Sequence, residues 1–313
     1  MNLILVIGKN GQLASSLRTH ANKENYKLIF LGREAIDLNS INKDILERFL
    51  GKFKPSLIIN AAGYTNVEEA ELNSEIAFQV NGYATGLIAT YCRKKSIPLI
   101  HISSDYVFGN DSSELLNPEQ KTNPIGVYAK SKALGEELIK KSYNNFEKDF
   151  LIIRVSWVFD INGENFINKI LKLAKNQQVI KVVCDQYGGP TSSSSIAKSI
   201  LKIVENIIEN KHPIEKNYSF PWGIYHFQGK PIISWYEFAK IILNKSYEHG
   251  IIEKIPLIIP ISSSELKSNV ARPKNSRLNC FKSEKDLGLK MPCWEEDLDY
   301  FFKLKKKESL KKR

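Results

Sequence analysis

Tyrosine and lysine stand four residues apart at three places in the chain, a pairing that can move a proton. Residues at this spacing share one face of a helix. A phenol has an unperturbed pKa of about 10, so exchanging a proton near neutral pH requires a neighbouring cation that lowers the pKa. The three pairs are Tyr91 with Lys95, Tyr128 with Lys132, and Tyr236 with Lys240. Chance alone produces a couple of such pairs in a lysine-rich chain with 13 tyrosines, so spacing does not choose among them.

Position along the chain favours the second pair. Tyr128 begins a predicted helix, and the strand predicted before it, at 98–102, leads into Ser-Ser-Asp at 103–105. Ligands of an open α/β sheet bind at the carboxyl ends of its strands, so these side chains would meet at one edge. In this interpretation Tyr128 exchanges the proton, Lys132 supplies the cation and Ser104 holds the reacting oxygen. The other two tyrosines are interpreted as packing residues, each with a solvated lysine one turn further on.

A glycine-rich turn follows the first predicted strand and opens a helix. It reads GKNGQLA from Gly8 to Ala14, a GxxGxxA pattern with Gly11 at its centre. Glycine permits positive φ and close approach of the backbone, so a pyrophosphate can bind the N–H groups at the positive end of that helix. In this strand-turn-helix context the pattern predicts a dinucleotide site, although glycines can also serve only the geometry of a turn.

The end of the second predicted strand bears on which nicotinamide cofactor binds. A NAD-specific fold places an acidic residue there to hold the ribose 2′-hydroxyl, whereas this chain has Arg33 followed by Glu34. An arginine can pair with a 2′-phosphate, and the adjacent carboxylate would repel it. The sequence therefore favours NADPH and leaves NADH open.

Apolar runs and helical patterns alternate along the first half of the chain. Strands are predicted at 3–7, 26–31, 56–59, 98–102 and 150–155, and helices at 13–20, 41–50, 75–95 and 127–141. After residue 155 the alternation loosens, with helices predicted at 166–175, 195–208 and 235–245 and a strand at 224–227. This order predicts an α/β fold, a Rossmann-type doubly wound parallel sheet with a smaller α/β substrate-binding domain.

The loosening also suggests where the two domains divide. We assign 1–155, together with about 184–225, to the NADP(H)-binding Rossmann domain. About 156–183 and 226–302 form the substrate domain, and 303–313 form a basic tail. The helix from Ser195 could return to pack on the sheet, which leaves the boundary open.

Charge at first suggests a nucleic-acid partner. The chain has 313 residues, 45 Lys and Arg against 34 Asp and Glu, and a formal charge of +11. Residues 303–313, however, hold seven cationic residues and one acidic residue, Glu308. The net charge of this segment is more than half of that excess. We expect this tail to be a solvated, frayed terminus, and we expect no nucleic-acid partner because the remaining balance is ordinary.

Cysteine and histidine spacing gives no sign of a metal or a disulfide framework. The four cysteines form no CxxC pair, and the five histidines form no HExxH pattern. The chain also has no uncharged apolar stretch of about 18 residues and no signal-peptide pattern. We expect reduced thiols, no membrane partner and a cytoplasmic location.

Several ordered strings make the chain resemble a known family. Together with the glycine turn, Ser104 and the Tyr128/Lys132 pair, they are similar to the extended short-chain dehydrogenases/reductases, and more narrowly to the dTDP-4-dehydrorhamnose reductase family. The likeness runs from Gly8 to about Trp294. The strings are NAAGYTNVEEAE at 60–71, HISSDYVF at 101–108, VYAKSKALGE at 127–136, RVSWV at 154–158, DQYGGPT at 185–191 and RPKNSRL at 272–278.

The resemblance implies a reaction. NADPH would reduce the C4 keto group of dTDP-4-dehydro-β-L-rhamnose to dTDP-β-L-rhamnose, the last step of dTDP-rhamnose biosynthesis for cell-wall polysaccharide or lipopolysaccharide O-antigen. Tyr128 would protonate the incipient alkoxide, Lys132 would contact the nicotinamide ribose and favour the ionised phenol, and Ser104 would be the hydrogen-bond donor.

It also implies binding residues. For the cofactor these are Gly8, Gly11, Gln12, Leu13, Arg33, Asp37, Leu38, Ala62, Gly63, Tyr64, Ser103, Tyr128 and Lys132. For the substrate they are Thr65, Val67, Ser104, Asp105, Trp157, Arg272 and Arg277. A carboxylate and a flat apolar surface suit a hydroxylated hexose, although Asp105 could merely cap a turn and Trp157 could be core. Either arginine could meet a diphosphate or tie the domains together.

The chain departs from the family where some members bridge dimers through Mg²⁺ held by glutamates. At the matching positions it has Ser16 and Ser194, and only Glu295 is acidic. A hard cation requires several oxygen ligands, preferably charged, so we do not expect bound Mg²⁺. A homodimer formed in another way remains open.

Two alternatives stay open at this stage. Another nucleotide-sugar reductase or epimerase could use the same Ser104, Tyr128 and Lys132, since this chemistry leaves the sugar undefined. A non-catalytic NADP-binding subunit of the methionine adenosyltransferase β type would share the fold, but the intact set of three residues argues against it.

Overall fold

A computed structural model describes residues 2–21, 24, 26–109, 114–143, 149–208, 220–266 and 270–311. The chain forms eleven α-helices and thirteen strands in these ranges. The strands are β1 Asn2–Ile7, β2 Tyr26–Leu31, β3 Leu57–Asn60, β4 Leu99–Ser104, β5 Phe150–Val155, β6 Val158–Phe159, β7 Val179–Val183, β8 Tyr187–Gly188, β9 Thr191–Ser192, β10 Gly223–Phe227, β11 Ile233–Ser234, β12 Leu257–Ile261 and β13 Asn275–Ser276. The helices are α1 Gln12–His20, α2 Lys43–Leu50, α3 Val67–Leu72, α4 Ser74–Ala77, α5 Ala84–Lys94, α6 Gly126–Tyr143, α7 Phe166–Asn176, α8 Ser193–Ile208, α9 Trp235–Glu248, α10 Phe281–Leu287 and α11 Trp294–Lys311.

Six strands form one parallel sheet in the order β10-β5-β4-β3-β1-β2. The chain leaves β1 toward β2 on one side and returns to β3 on the other, so the strand order reverses between β1 and β3. Such a switch point opens a crevice at the carboxyl edge of the sheet, where ligands of doubly wound folds bind. The α/β class and the Rossmann-type sheet predicted from the sequence are confirmed.

Both faces of the sheet are covered, which explains the continuous apolar run of β1. Ile4 and Val6 pack in a cluster with Leu17 of α1 and Ile196 of α8. The alternate side chains of β1 pack on the opposite face. Those residues, Leu5 and Ile7, share a second cluster with Leu46 of α2, Ile88 of α5 and Ile139 of α6. Helix α8 therefore does return to pack on the sheet.

The predicted helix at 75–95 is interrupted. It consists of α4, a π-helical turn at Phe78–Tyr83, and α5. Helix α6 lies directly against this turn, and a methyl group at Gly135 would collide with the backbone oxygen of Asn81. This close approach is a tertiary constraint that a single-helix periodicity does not contain.

A third hydrophobic cluster joins helices that pack outside the large sheet. It contains side chains of α7, α9 and α11, with Ile167, Phe238, Trp294 and Phe302 at most 1% exposed. Strands β7 and β12 pair in parallel beside it. Strands β7 and β12 and helix α11 were not predicted from the sequence, because a charge or a proline interrupts the short apolar runs of the strands and charges separate the apolar residues of the helix.

The expectation of a frayed basic tail is wrong as far as Lys311. Residues 294–311 are one helix, α11, and Phe301 and Phe302 anchor it in the third cluster. Lys305 donates a hydrogen bond to the backbone oxygen of Ile161 at 3.0 Å. The apolar residues that precede the lysines on this helix pack in the core, and they hold the basic segment against the rest of the chain. Residues 312–313 lie outside the described part of the chain.

Within the described ranges, no helix combines the length and the apolar character that crossing a membrane requires.

Candidate active site

Two predicted catalytic residues and one predicted substrate residue meet at the carboxyl edge of the sheet. Ser104 is the last residue of β4, Asp105 begins the 3-10 turn that follows, and Tyr128 lies in the first turn of α6. The hydroxyl of Ser104 donates to Asp105 Oδ1 at 2.9 Å and accepts from the N–H of Tyr106 at 3.2 Å. The Tyr128 phenol lies beside this hydroxyl, which lowers the pKa of the phenol. Strand β4 and helix α6 thus place a phenol, a hydroxyl and a carboxyl in one chain of contacts.

Burial governs the protonation of two of these groups. Asp105 is 2% exposed, and burial raises the pKa of its carboxyl to about 6, against the opposing effect of the Ser276 and Ser104 hydroxyls. Burial likewise raises the pKa of Tyr128 to about 12, while the hydrogen bond with Ser104 lowers it. The phenol is therefore neutral at pH 7 and able to donate a proton.

Lys132 lies one helical turn after Tyr128 on α6 and is 4% exposed. Its ammonium donates to the backbone oxygen of Ile102 at 2.7 Å and lies 3.4 Å from His101 Nε2. Burial lowers the pKa of Lys132 to about 8, and the charge of Glu136 raises it. The expectation that Lys132 lowers the pKa of the phenol is not met in this geometry, because its ammonium is directed toward β4.

The glycine turn has the features of a dinucleotide cradle. Gly8 has a φ of +110°, and a side chain there would meet the backbone N of Ala62 at 2.7 Å, so only glycine fits. Helix α1 begins at Gln12 with Gly11 as its N-cap, no side-chain cap and no acidic residue in its first turn. Its first N–H groups, including that of Leu13, therefore have no intrahelical partner. A side chain at Gly11 would meet only the backbone oxygen of Gly8, at 3.9 Å, and Gln12 Oε1 is buried without a partner among the described residues, so the turn fits a pyrophosphate.

Arg33 lies just after the end of β2 and is exposed to solvent. Its side chain is 81% exposed, and its Nε lies 4.0 Å from Asp37 Oδ1. Glu34, which would repel a phosphate, is paired with Lys9 at 2.6 Å, and that hydrogen bond lowers the pKa of the carboxyl. This neutralisation removes much of the charge conflict that the sequence suggested. Leu38 is buried in the second cluster and accepts from the Gln79 amide through its backbone oxygen at 3.4 Å.

The loop after β3 is fixed from α6 and the π-helical turn. Asn81 accepts from the N–H of Tyr64 at 2.8 Å and donates to the Tyr64 backbone oxygen at 3.0 Å. The same amide donates to Ser131 of α6 at 3.0 Å. The loop residues Ala62 and Gly63 are thereby held between the glycine turn and the catalytic helix.

The predicted substrate residues are spread around the phenol. Val67, at the start of α3, packs in a small cluster with Tyr128, while Thr65 is exposed in the loop before it. Trp157 has a φ of +46° and is 9% exposed, and its ring stacks on Trp235 with 3.4 Å between centroids. One face of the indole is thus covered by Trp235, and Gly188 packs closely against the same ring, so that only a small part of it is accessible to a sugar.

The two arginines of the RPKNSRL string have different partners. Arg272 forms an ion pair with Glu68 of α3, and its charge acts on Tyr106, the residue that follows Asp105. Arg277 donates to Asn275 Oδ1 at 2.8 Å, and its guanidinium lies 5.8 Å from the centre of the Tyr187 ring. The structure therefore brings Arg272 closer to the catalytic group than Arg277.

The two other Tyr-x-x-x-Lys pairs lie away from this edge. Tyr91 lies on α5, is 3% exposed and packs in the second cluster. Tyr236, on α9, has the ammonium of Lys240 over its ring at 5.5 Å. Both are packing residues, as the sequence analysis interpreted them.

The positions associated with Mg²⁺ in some family members have other contacts here. Ser16 lies 3.1 Å from Asp160 Oδ2 and 2.7 Å from the Ser193 hydroxyl. Ser194 lies 2.8 Å from His20 Nε2. Within the described ranges no three acidic, histidine or cysteine side chains are grouped as a metal would require.

Sequence reasoning missed the polar side chains beneath the phenol. Ser103, predicted as a cofactor residue, turns its hydroxyl to Glu136 Oε1 at 2.5 Å. Glu136 in turn forms a buried ion pair with Arg154 at 2.6 Å. Both charged residues lie inside strings used for the resemblance, and Glu136 stands one further turn from Lys132, which was the available signal.

Comparison with known proteins extends over nearly the whole chain. A family model described as the RmlD substrate binding domain matches residues 1–306. The chain is 34% identical over 299 residues to a dTDP-4-dehydrorhamnose reductase of Aggregatibacter actinomycetemcomitans, which covers 95% of this chain and 97% of that protein.

Two solved structures are similar as well. The fold superposes on a dTDP-4-dehydrorhamnose reductase of Clostridium acetobutylicum with a TM-score of 0.84 and 27% identity, over 96% of this chain and 99% of that one. A dTDP-4-dehydrorhamnose reductase of Bacillus anthracis in complex with NADP gives a TM-score of 0.83 and 29% identity over the same shares.

Proposed function

The chain belongs to the dTDP-4-dehydrorhamnose reductase family, and from this premise we propose how its residues reduce the C4 keto group of dTDP-4-dehydro-β-L-rhamnose to give dTDP-β-L-rhamnose. The chain is an NADPH-dependent oxidoreductase of dTDP-rhamnose biosynthesis. The observation that carries the site assignment is the contact chain of Tyr128, Ser104 and Asp105 at the carboxyl edge of the sheet.

Tyr128 is the proton donor in this proposal. NADPH, when bound, supplies the hydride that the C4 carbon accepts. The phenol of Tyr128 delivers a proton to the C4 oxygen, and its raised pKa keeps it in the neutral form that reduction requires. Ser104 stands beside the phenol and orients the same oxygen.

Lys132 and Asp105 set the electrostatics around the reacting oxygen. The ammonium of Lys132, held against β4 one helical turn from Tyr128, is the buried cation that we assign to balance negative charge at the reaction centre. Lys132 is also the residue that we assign to the nicotinamide ribose. The Asp105 carboxyl, ionised above about pH 6, accepts hydrogen bonds from hexose hydroxyls.

The cofactor is held by the turns that end β1, β2 and β3. The first turn of α1 binds the pyrophosphate, and Arg33 binds the 2′-phosphate. The remaining residues that we assign to this site are Gly8, Gly11, Gln12, Leu13, Asp37, Leu38, Ala62, Gly63, Tyr64 and Ser103.

The substrate lies on the other side of the phenol. We assign Thr65, Val67 and the exposed edge of Trp157 to the sugar, and Arg272 with Arg277 to the diphosphate. The six-stranded sheet, which includes β10, forms the cofactor domain together with α8. The third hydrophobic cluster forms the core of a substrate domain.

We also propose a cytoplasmic location, supported by four free cysteines. Any homodimer forms without a metal bridge, because Ser16 and Ser194 are engaged with protein groups.

An assay of the purified chain tests the function against both alternatives. With NADPH and dTDP-4-dehydrorhamnose, the nicotinamide absorbance falls and dTDP-rhamnose is formed. A preference for a UDP-linked 4-keto sugar would assign the chain to another nucleotide-sugar enzyme. Binding of NADPH without any oxidation would favour a regulatory subunit.

A further inference from the structure

A buried carboxylate lies on the same face of α6 as the two catalytic residues of that helix. Tyr128, Lys132 and Glu136 follow one another at intervals of four residues, and residues at this interval stack along one helix face. All three are buried, and Glu136 is 0% exposed. A carboxylate at such a position is retained only where other groups pair with it.

Three donors hold the Glu136 carboxylate in one orientation. Arg154 of β5 donates from Nε to Oε1 at 2.9 Å and from its terminal nitrogen to Oε2 at 2.6 Å. Ser103 of β4 donates to Oε1 at 2.5 Å. This forked geometry leaves the carboxylate little freedom, and it ties α6 to both strands.

The guanidinium of Arg154 is itself fixed. It donates to the backbone oxygen of Pro118 at 3.1 Å, lies 3.3 Å from His226 Nε2, and stands over the Phe108 ring at 4.7 Å. Arg154 is 1% exposed. The ion pair is therefore buried at the centre of the sheet, and it is joined to β4 through the residue that precedes Ser104.

Glu136 also carries the negative charge that faces Lys132 from α6. From β4, Lys132 meets the neutral groups of Ile102 and His101, and burial keeps the pKa of His101 well below its usual value. From the start of α6 it meets the neutral phenol of Tyr128. From β5 and β10 the network presents the cation Arg154 and the neutral His226, whose pKa burial also lowers.

The remaining carboxyl near the phenol belongs to Asp105, and it is engaged by Ser104. Lys132 and Arg154 are thus two buried cations, and Glu136 is the carboxylate that interacts with both of them. An arginine keeps its proton in proteins. Removing the Glu136 charge would therefore make Lys132 lose its proton more readily.

We propose that Glu136, fixed by Arg154 and Ser103, is a positioning residue that acts through the neighbouring ammonium of Lys132, keeping it charged and held in its place against β4. The inference rests on the proposed function, because it assigns Glu136 a part in that reduction. Glu136 touches neither substrate nor cofactor in this scheme and acts through Lys132.

Replacement of Glu136 by glutamine separates charge from shape. Glu136→Gln keeps the size of the side chain and an oxygen for Ser103, but it removes the negative charge. Glu137→Gln is the matched control, since Glu137 is exposed on the same helix one residue further on. Both variants would be titrated together with the unmodified protein.

Two readouts follow the charge of Lys132. In cofactor-free protein, the ¹³Cε NMR signal of Lys132, assigned by its loss in Lys132→Met, should titrate with a midpoint of about 8. In Glu136→Gln we expect this midpoint to fall by at least about one pH unit, the size of a close charge effect. The alkaline limb of kcat with NADPH and dTDP-4-dehydrorhamnose should move equally, lowering kcat at pH 8 about fivefold, with smaller changes in KM. Glu137→Gln should leave both curves in place.

The outcomes separate this inference from the proposed function. A wild-type protein that does not oxidise NADPH would overturn the function, while the NMR titration would still test Glu136. Unshifted curves in a folded Glu136→Gln protein would overturn the positioning role.

A second variant covers the case in which glutamine leaves Arg154 unpaired and the chain does not fold. Glu136→Met with Arg154→Met replaces the pair by apolar side chains of similar size, a change that buried ion pairs often tolerate. The folded double variant should show the same downward shift of the Lys132 midpoint. A double variant that fails to fold would assign the pair to stability alone and overturn the proposal.

Discussion

The Tyr128 phenol lies beside the Ser104 hydroxyl, a contact that joins the first turn of α6 to the last residue of β4. The Ser104 hydroxyl donates a hydrogen bond to Asp105 Oδ1 at 2.9 Å. A proton donor, an orienting hydroxyl and a sugar acceptor are therefore aligned before any ligand arrives. Preorganisation of this kind is the main contribution that a protein makes to hydride-transfer chemistry.

Removing the phenolic hydroxyl should abolish most turnover. Tyr128→Phe retains the ring that packs against Tyr106 at 5.5 Å but cannot donate a proton. We expect kcat to fall by about 10²- to 10⁴-fold, the usual contribution of a general acid, with the Kd for NADPH within about threefold of wild type. Steady-state kinetics and fluorescence titration measure the two quantities.

The control for that variant has the same sequence spacing elsewhere. Tyr236→Phe removes a hydroxyl from the Tyr-x-x-x-Lys pair on α9 and should leave kcat unchanged. Near-normal turnover in Tyr128→Phe would mean that another group is the proton donor.

The pH profile of kcat/KM should be bell-shaped with its maximum near pH 7. Asp105 must be ionised to accept sugar hydroxyls, so activity rises as pH increases through about 6. Lys132 must be protonated, so activity declines as pH rises through about 8. The limbs of kcat/KM report groups of the free enzyme. Asp105→Asn should remove the acid limb and keep the alkaline one; an acid limb that survives this change would belong to a different group.

The same aspartate should reduce stability at neutral pH. Its pKa is about 6 in the folded protein and about 3.8 when exposed, so the folded state binds more protons between these values. The stabilisation is complete below about pH 3.8 and is lost as pH rises through 6. Asp105→Asn cannot ionise, so we expect the free energy of unfolding at pH 7 to rise by up to about 3 kcal/mol.

Urea denaturation of both proteins at pH 7 and pH 4 measures this effect. The difference should shrink at pH 4, where the folded carboxyl is already protonated. A variant less stable than wild type at pH 7 would show that the carboxylate is stabilised by contacts that outweigh its burial.

Cofactor choice should depend on Arg33. Its guanidinium is exposed beside Asp37 and can reach a 2′-phosphate, while Lys9 neutralises Glu34. Arg33→Ala should lower the ratio of kcat/KM for NADPH to that for NADH by about 10- to 100-fold, the loss of one charge-assisted bidentate contact. Arg48→Ala, an exposed arginine on α2, should leave the ratio in place. An unchanged ratio in Arg33→Ala would assign the discrimination to another residue.

Local patterns in the sequence were sufficient for the sheet and the outline of the site. The apolar run before Gly8 predicts β1 because both of its faces are buried, and the position of Tyr128 after β4 selects it from three equal spacings. Short elements such as β7 have no such signal, since the exposed Lys181 interrupts its apolar run.

Long-range pairing was beyond sequence reasoning. Arg154 and Glu136 are 18 residues apart on different elements, and their ion pair exists only once β5 and α6 pack together. The protonation of Lys132 was also unpredictable, because it depends on burial and on the charge of Glu136. Spacing identified the residues, but tertiary packing determined their charges.

Transfer of an isotope tests the central claim most directly. The purified chain is incubated with dTDP-4-dehydrorhamnose and NADPH deuterated at both C4 positions of the dihydronicotinamide, and the sugar product is analysed by mass spectrometry and NMR. The account predicts dTDP-rhamnose carrying one deuterium at C4 of the sugar. Product without deuterium, or with deuterium at another carbon, would contradict it.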